Sequence, residues 1–214
     1  FLSSSGSIMK LARKSCNFTV KGEKGAFLTE HRRCVYSIIA YCNDYVYHGR
    51  LLPKKGNEVK YKSLPSKGYV HINSYSSPGK TGSRLNRAEA EAIVCWLELE
   101  KDNLEKTYKK PIHEIVAVVT PFKAQEAEIR HQIQKISGNE KYKEMIIGTV
   151  HSLQGAQCPI VLFSTVNSPE DHSLFMERDG KYNMLNVAIS RAQHHFIVFG
   201  LSLIHISEPT RPLY

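Results

Sequence analysis

Ile115-Val116-Ala117-Val118-Val119-Thr120 is a near-continuous β-branched run with no polar side chain until its last residue. A half-solvated strand alternates apolar with polar, so this run has the signature of a strand buried on both faces. Such a strand needs helices above and below it, which confines the chain to an α/β architecture. Ile146 to Val150 and Ile160 to Val166 repeat the pattern, and His195 to Phe199 reads as a closing strand. Segments of helical period alternate with these runs. Cys34 to Tyr47 carries Ile38, Ile39, Cys42, Tyr45 and Val46 at helical spacing, and Asn86 to Glu105 carries Ala88, Ala92, Ile93, Trp96 and Leu97 on one side. Pro121 suits the first turn of a further helix with Ala124, Ala127, Ile133 and Ile136 on its buried side, and one more helix fits Asn183 to Ala192. Tyr69 to Tyr75 alternates like a half-buried strand. Strand and helix in turn predict right-handed crossovers and a parallel sheet covered on both faces.

Local signals sharpen the boundaries. Asn86 is the expected N-cap of the long helix, with Glu89 three residues on in a capping-box-like arrangement. Gly49 to Pro65 is a basic loop punctuated by Gly and Pro, and His172 to Lys181 is a polar excursion expected to be exposed. With 214 residues the chain is long enough for one sizeable domain with its own core. Residues 26–200 are read as that domain and residues 1–25 as the end of a preceding region. The chain starts at Phe1 and contains no apolar stretch of eighteen residues, so it reads as a piece of a longer, cytoplasmic chain without a membrane span. Residues 201–214 resemble the translation of a sequencing adapter and are set aside from the fold as a non-native tail; the other reading is a native segment that caps the last strand.

The formal net charge of +9 favours a polyanionic partner, because Lys and Arg on one face gain affinity by displacing counterions from phosphates. A merely solvated basic surface gives the same count. Cys16, Cys34, Cys42, Cys95 and Cys158 are odd in number and never spaced as C-x-x-C, which argues against a disulfide framework and a zinc site and for reduced thiols. His151, His194 and His195 lack metal-ligand spacing, so no metal site is expected. Pro78-Gly79-Lys80-Thr81 imitates part of a phosphate-binding loop, but the pattern needs a second Gly five residues before Gly79, where Ser74 stands. The chain by itself is therefore not expected to hydrolyse a nucleotide.

Four segments carry more. They are Leu28-Thr29-Glu30-His31-Arg32-Arg33-Cys34, Val119-Thr120-Pro121-Phe122-x-x-Gln125, Thr149-x-His151-x-x-Gln154-Gly155 and Asn186-Val187-Ala188-x-Ser190-Arg191-Ala192. In this order and spacing they resemble four motifs of superfamily 1 helicases, and specifically the second RecA-like domain of the Upf/Dna2-type branch, over about residues 26–200. The resemblance implies a RecA-like sheet of the P-loop NTPase superfamily that lacks the P-loop. It also implies ATP with Mg2+, bound mainly by an N-terminal RecA-like domain, and a DNA or RNA partner as single strand or duplex junction.

Residue by residue, the resemblance makes Arg33 and Arg191 the catalytic arginines that reach the γ-phosphate. Gln154, Gly155 and Gln157 fall on the segment that senses nucleotide; Gln157 stands where the family often has Glu, keeping an acceptor and losing the charge. Thr120, Phe122, Gln125, Thr149 and His151 fall on the nucleic-acid side. Phe122 could stack on a base or lie under its helix as a core aromatic, and Thr149 could contact the backbone of the strand or be a buried structural Thr. The segments Gly148 to Gly155 and Asn186 to Ala192 each open or close a β-run, so both are expected at strand ends, where α/β sheets build ligand sites. The altered residues Gln157 and Arg32 keep a second reading open, a nucleic-acid-binding or scaffold module descended from such a motor without ATPase coupling.

Overall fold

The computed structural model of the protein describes residues 12, 14–20, 23–25, 27–78, 83–136, 138–150, 157–168 and 183–201. The first half holds short paired strands β1 (Thr19–Val20), β2 (Glu23–Lys24) and β3 (Glu30–His31), then α1 (Tyr36–Tyr45) and β4 (Leu52–Pro53). Next come β5 (Lys67–His71), β6 (Ser77–Pro78), β7 (Arg84–Leu85), the long α2 (Arg87–Tyr108), the single turn α3 (Ile112–Ile115), β8 (Val116–Thr120) and α4 (Lys123–Gln134). A 3-10 turn at Asn139–Tyr142 leads to β9 (Ile147–Thr149), β10 (Cys158–Ser164), α5 (Asn183–Ile189) and β11 (Ala192–Gly200).

Five strands form one sheet in the order β5-β11-β10-β8-β9, and every neighbouring pair is parallel. The expected α/β class is therefore what the chain adopts. Alternation along the strands divides the core in two, because successive side chains point to opposite faces. Ile160 and Leu162 of β10 join Val116, Val118, Ile197 and Phe199 in a cluster with α2, α3 and α4. Val161 and Phe163 face the other way with Val119 and Phe196, against Ile38, Ile39 and Cys42 of α1 and Ala188 and Ile189 of α5. At about 1.5–3 kcal/mol for each fully buried large aliphatic or aromatic side chain, these two layers are the main source of stability.

Details of the helices depart from the sequence pattern. The buried stripe of α2 is Ala90, Ile93, Leu97, Leu104 and Tyr108, with Ala92 and Trp96 only partly buried beside it. In α4 the buried positions are Gln125, Ile129, Gln132 and Ile133, while Ala127 is exposed. Apolar periodicity alone could not show that two glutamines point inward. The alternating strand near Tyr69 lies at Lys67–His71, with Lys67, Tyr69 and His71 exposed. It is an edge strand with one neighbour, β11.

Gly200 closes β11 against the turn after β10. A Cβ at this position would lie 2.1 Å from Thr165 Oγ1. Thr165 is buried and its hydroxyl donates to Phe199 O at 3.4 Å, so it has little room to yield. Gly200→Ala is expected to lower the unfolding free energy by about 1–3 kcal/mol, the usual cost of overpacking a core. Chemical denaturation checks this, and an unchanged midpoint would contradict the close approach.

Candidate functional site

The two arginines from the distant motifs meet at the amino end of the sheet. Cys158 pairs with Ala192 at the start of β10 and β11, and its N–H donates to Arg191 O at 3.1 Å. This also sets Gln157, which is exposed, beside Arg191 along the same edge. The segment before α1 docks against the start of β11, where Val35 N donates to Gln193 O at 3.0 Å. Arg33 Nη1 then reaches Ser190 O at 3.4 Å, across 157 residues of sequence. Cys34 Sγ donates to the same carbonyl at 3.6 Å. Ser190 O lies at the carbonyl end of α5, where a positive charge is favoured.

Arg33, Arg191 and Lys55 gather here, the Lys55 pKa depressed by burial. Lys55 Nζ donates to Arg33 O at 3.1 Å and to Gln193 O at 3.3 Å. Burial, and then the nearby Arg33, depress the pKa of Arg191, yet a guanidinium stays protonated at any physiological pH. His31 adds no charge: its Nε2 accepts from Cys34 N at 3.1 Å, and burial followed by Arg33 and Lys55 holds its pKa down. Burial pushes the Cys34 thiol up to about 11, so it is a neutral neighbour. The arrangement can receive an anion through guanidinium forks, which suit phosphate oxygens.

The nucleic-acid candidates lie at the other end of the sheet. Thr120 and Thr149 are register partners at the carboxyl ends of β8 and β9. Spanning the seven-residue β10 at about 3.3 Å per residue, the two ends stand roughly 20 Å apart. Thr120 and Thr149 thus lie at the carboxyl edge and the arginine-bearing turn at the amino edge. Of the residues expected on the nucleic-acid side, Thr120, Phe122 and Gln125 are buried. Thr120 Oγ1 accepts from Phe122 N at 3.4 Å and shapes the turn into α4. Gln125 accepts from Asn86 N at 2.7 Å and donates to Asn86 O at 3.0 Å and Ser164 Oγ at 2.9 Å. Its amide is a clamp between two helices and a strand. Thr149 is half-buried. His151, Gln154 and Gly155 lie outside the described residues, as do residues 79–82 of the incomplete phosphate loop.

Glu89 is the group that pattern reading mistook. Asn86 does cap α2, its side chain accepting from Glu89 N at 3.2 Å, but the return bond of a capping box is absent among the described residues. Asn86 N–H is held by Gln125 instead, and the Glu89 carboxylate turns inward, fully buried. It accepts from Ser164 Oγ at 2.6 Å and from Val166 N at 3.0 and 3.1 Å. Asn86 Nδ2 adds a third donor at 3.3 Å. Val166 has φ 57°, left-handed backbone that a β-branched residue rarely adopts, and the carboxylate holds it there. Burial pushes the Glu89 pKa up to about 7, with these donors opposing the rise.

The chain folds as a five-stranded parallel sheet covered on both faces, an α/β domain in which segments from two distant arginine-bearing motifs meet at the amino edge. The chain belongs to the family described as AAA domain, whose model matches residues 7–202, and it is a superfamily 1 helicase domain. It is 23% identical over 184 residues to the 5'-3' DNA helicase ZGRF1 of Mus musculus, covering 84% of this chain and 9% of that protein. It is 28% identical to the probable helicase MAGATAMA 3 of Arabidopsis thaliana over 62% of this chain and 16% of that one. It is 32% identical to helicase sen1 of Schizosaccharomyces pombe over 56% of this chain and 7% of that protein. The chain thus spans 7–16% of the length of these relatives. Among the described residues no helix is long and apolar enough to cross a membrane.

Proposed function

We propose that this chain is the C-terminal RecA-like motor domain of an ATP-dependent superfamily 1 DNA or RNA helicase. Arg33 and Arg191 are its arginine fingers, and the ATP site is shared with an N-terminal RecA-like domain of the same protein. The observation that carries the reading is the Arg33 contact to Ser190 O, which puts one motif's guanidinium on the backbone of the other, next to Arg191. Phosphoryl transfer is accelerated mainly by positioning and by positive charge on the γ-phosphate oxygens, and such an arginine is worth about 10³–10⁵ in rate. ATP binding draws the two domains together and brings both arginines onto the γ-phosphate; hydrolysis releases them, and the cycle of closure and opening moves the strand.

The residues present fit that division of labour. The amino edge offers cations for phosphate oxygens. Mg2+ would be held with the nucleotide mainly by the N-terminal domain, where it would supply further positive charge to the phosphates. Thr149 at the carboxyl edge remains the described candidate for a nucleic-acid backbone contact, and Gln157 beside Arg191 the described candidate for a nucleotide contact.

In the full-length protein, single-stranded nucleic acid is expected to stimulate ATP hydrolysis, with the half-saturating concentration rising at least about tenfold between roughly 50 and 200 mM salt. Steady-state hydrolysis across an oligonucleotide titration checks both. Binding without stimulation would pass the chain to the scaffold reading, and a flat salt response would mean that the basic excess does not face nucleic acid.

A further inference from the structure

The parallel pair β3–β4 sorts the basic residues of two segments. Lys54 N donates to His31 O, and Glu30 takes up the cations on one side, pairing with Arg32 at 2.7 Å and with Lys54 at 3.7 Å. Their sequence neighbours Arg33 and Lys55 have no carboxylate within ion-pair distance among the described residues. Lys55 is half-buried, and its ammonium bridges Arg33 O and Gln193 O. One of those carbonyls belongs to the first arginine finger itself. The other lies two residues past the second, at the start of β11.

An ammonium has three donors and can serve two carbonyls at once. Holding the ammonium against these two backbone carbonyls takes it partly out of water, and burial depresses its pKa. We propose that Lys55 is a positioning residue that ties the Arg33 segment to the Arg191 segment and fixes the spacing of the two guanidiniums before the phosphate arrives. This rests on the reading of Arg33 and Arg191 as fingers. The basic loop from Gly49 to Pro65 was legible in the sequence, but nothing in it distinguished Lys55 from Lys54, because the difference arises from pairing across β3–β4.

The test is made in the full-length protein by nucleic-acid-stimulated ATP hydrolysis with nucleotide affinity measured alongside. Lys55→Met is expected to lower kcat by about tenfold with nucleotide Kd unchanged, since misplacement by an ångström can cost up to about a hundredfold. Lys55→Arg, which can serve both carbonyls, recovers most of the loss. In an Arg33→Ala background the effect of Lys55→Met shrinks to about threefold or less, because one of the positioned groups is gone. Lys55→Gln replaces Lys55→Met if the apolar variant does not fold, with thermal unfolding as the check. An unchanged kcat, or a full tenfold loss repeated in the Arg33→Ala background, would overturn the staple while leaving the finger reading intact. Wild-type turnover in both Arg33→Ala and Arg191→Ala would overturn the finger reading, and this proposal with it.

Discussion

Arg191→Ala in the full-length protein is expected to cut nucleic-acid-stimulated ATP turnover by about 10³ or more while leaving nucleotide Kd within about threefold. The asymmetry follows from where the guanidinium sits. In the proposed role, at the amino edge of β11, it would meet charge that develops on a phosphate held by another domain, adding little to ground-state binding and much to the transition state. The fold should survive, because Arg191 is half-buried in a turn whose backbone bonds, Arg191 N to Ala188 O and Cys158 N to Arg191 O, do not depend on the side chain. Arg191→Lys should recover only part of the rate, since an ammonium cannot make the two-pronged contact. Single-turnover kinetics with measured binding separates these effects. Unaltered turnover would remove Arg191 from the site.

Glu89→Ala is expected to cost about 3 kcal/mol or more in stability, because it strands the Val166 N–H, the Ser164 hydroxyl and the Asn86 amide at about 1–3 kcal/mol for each buried group left unmet. Glu89→Gln keeps the shape and removes the titration, which allows a sharper test. The carboxyl is raised from 4.5 to about 7 in the fold, so ionising it penalises the folded state. Its contribution is most favourable below the unfolded pKa, declines as pH climbs from about 4.5 to 7, and is constant above that. Wild-type stability relative to Glu89→Gln should therefore fall by about 3 kcal/mol across that window, at 1.36 kcal/mol per pKa unit. No charged group joins this network among the described residues: Asn86, Gln125, Ser164, Thr165 and Val166 are all neutral. Paired denaturation curves at pH 4.5 and 8 check the slope, and parallel pH profiles would show that Glu89 is not the buried acid described here.

The α/β class was legible because β8 and β10 are buried on both faces and say so in an unbroken apolar run. The long helix α2 was legible with its cap, since Asn86 and the apolar spacing are local signals. The polar core was not. Gln125, Glu89 and Ser164 come from a helix start, another helix start and a strand end, and only the crossovers bring them together. For the same reason Gln125 matched a nucleic-acid motif by sequence yet lies sealed between helices. The arginine pair was legible as two motifs but not as a place. Whether a motif lies before or after its strand decides which edge it occupies; Arg191 precedes β11 and Thr149 ends β9, so they part by the length of the sheet.

Arg33 and Arg191 are proposed to converge on one phosphate. In a structure of the full-length protein with ADP, aluminium fluoride and a single strand, a nitrogen of each guanidinium is expected within about 2.7–3.0 Å of the fluoride group that mimics the transferring phosphoryl. Either side chain turned away from that group, with the two domains closed around the nucleotide, would contradict it.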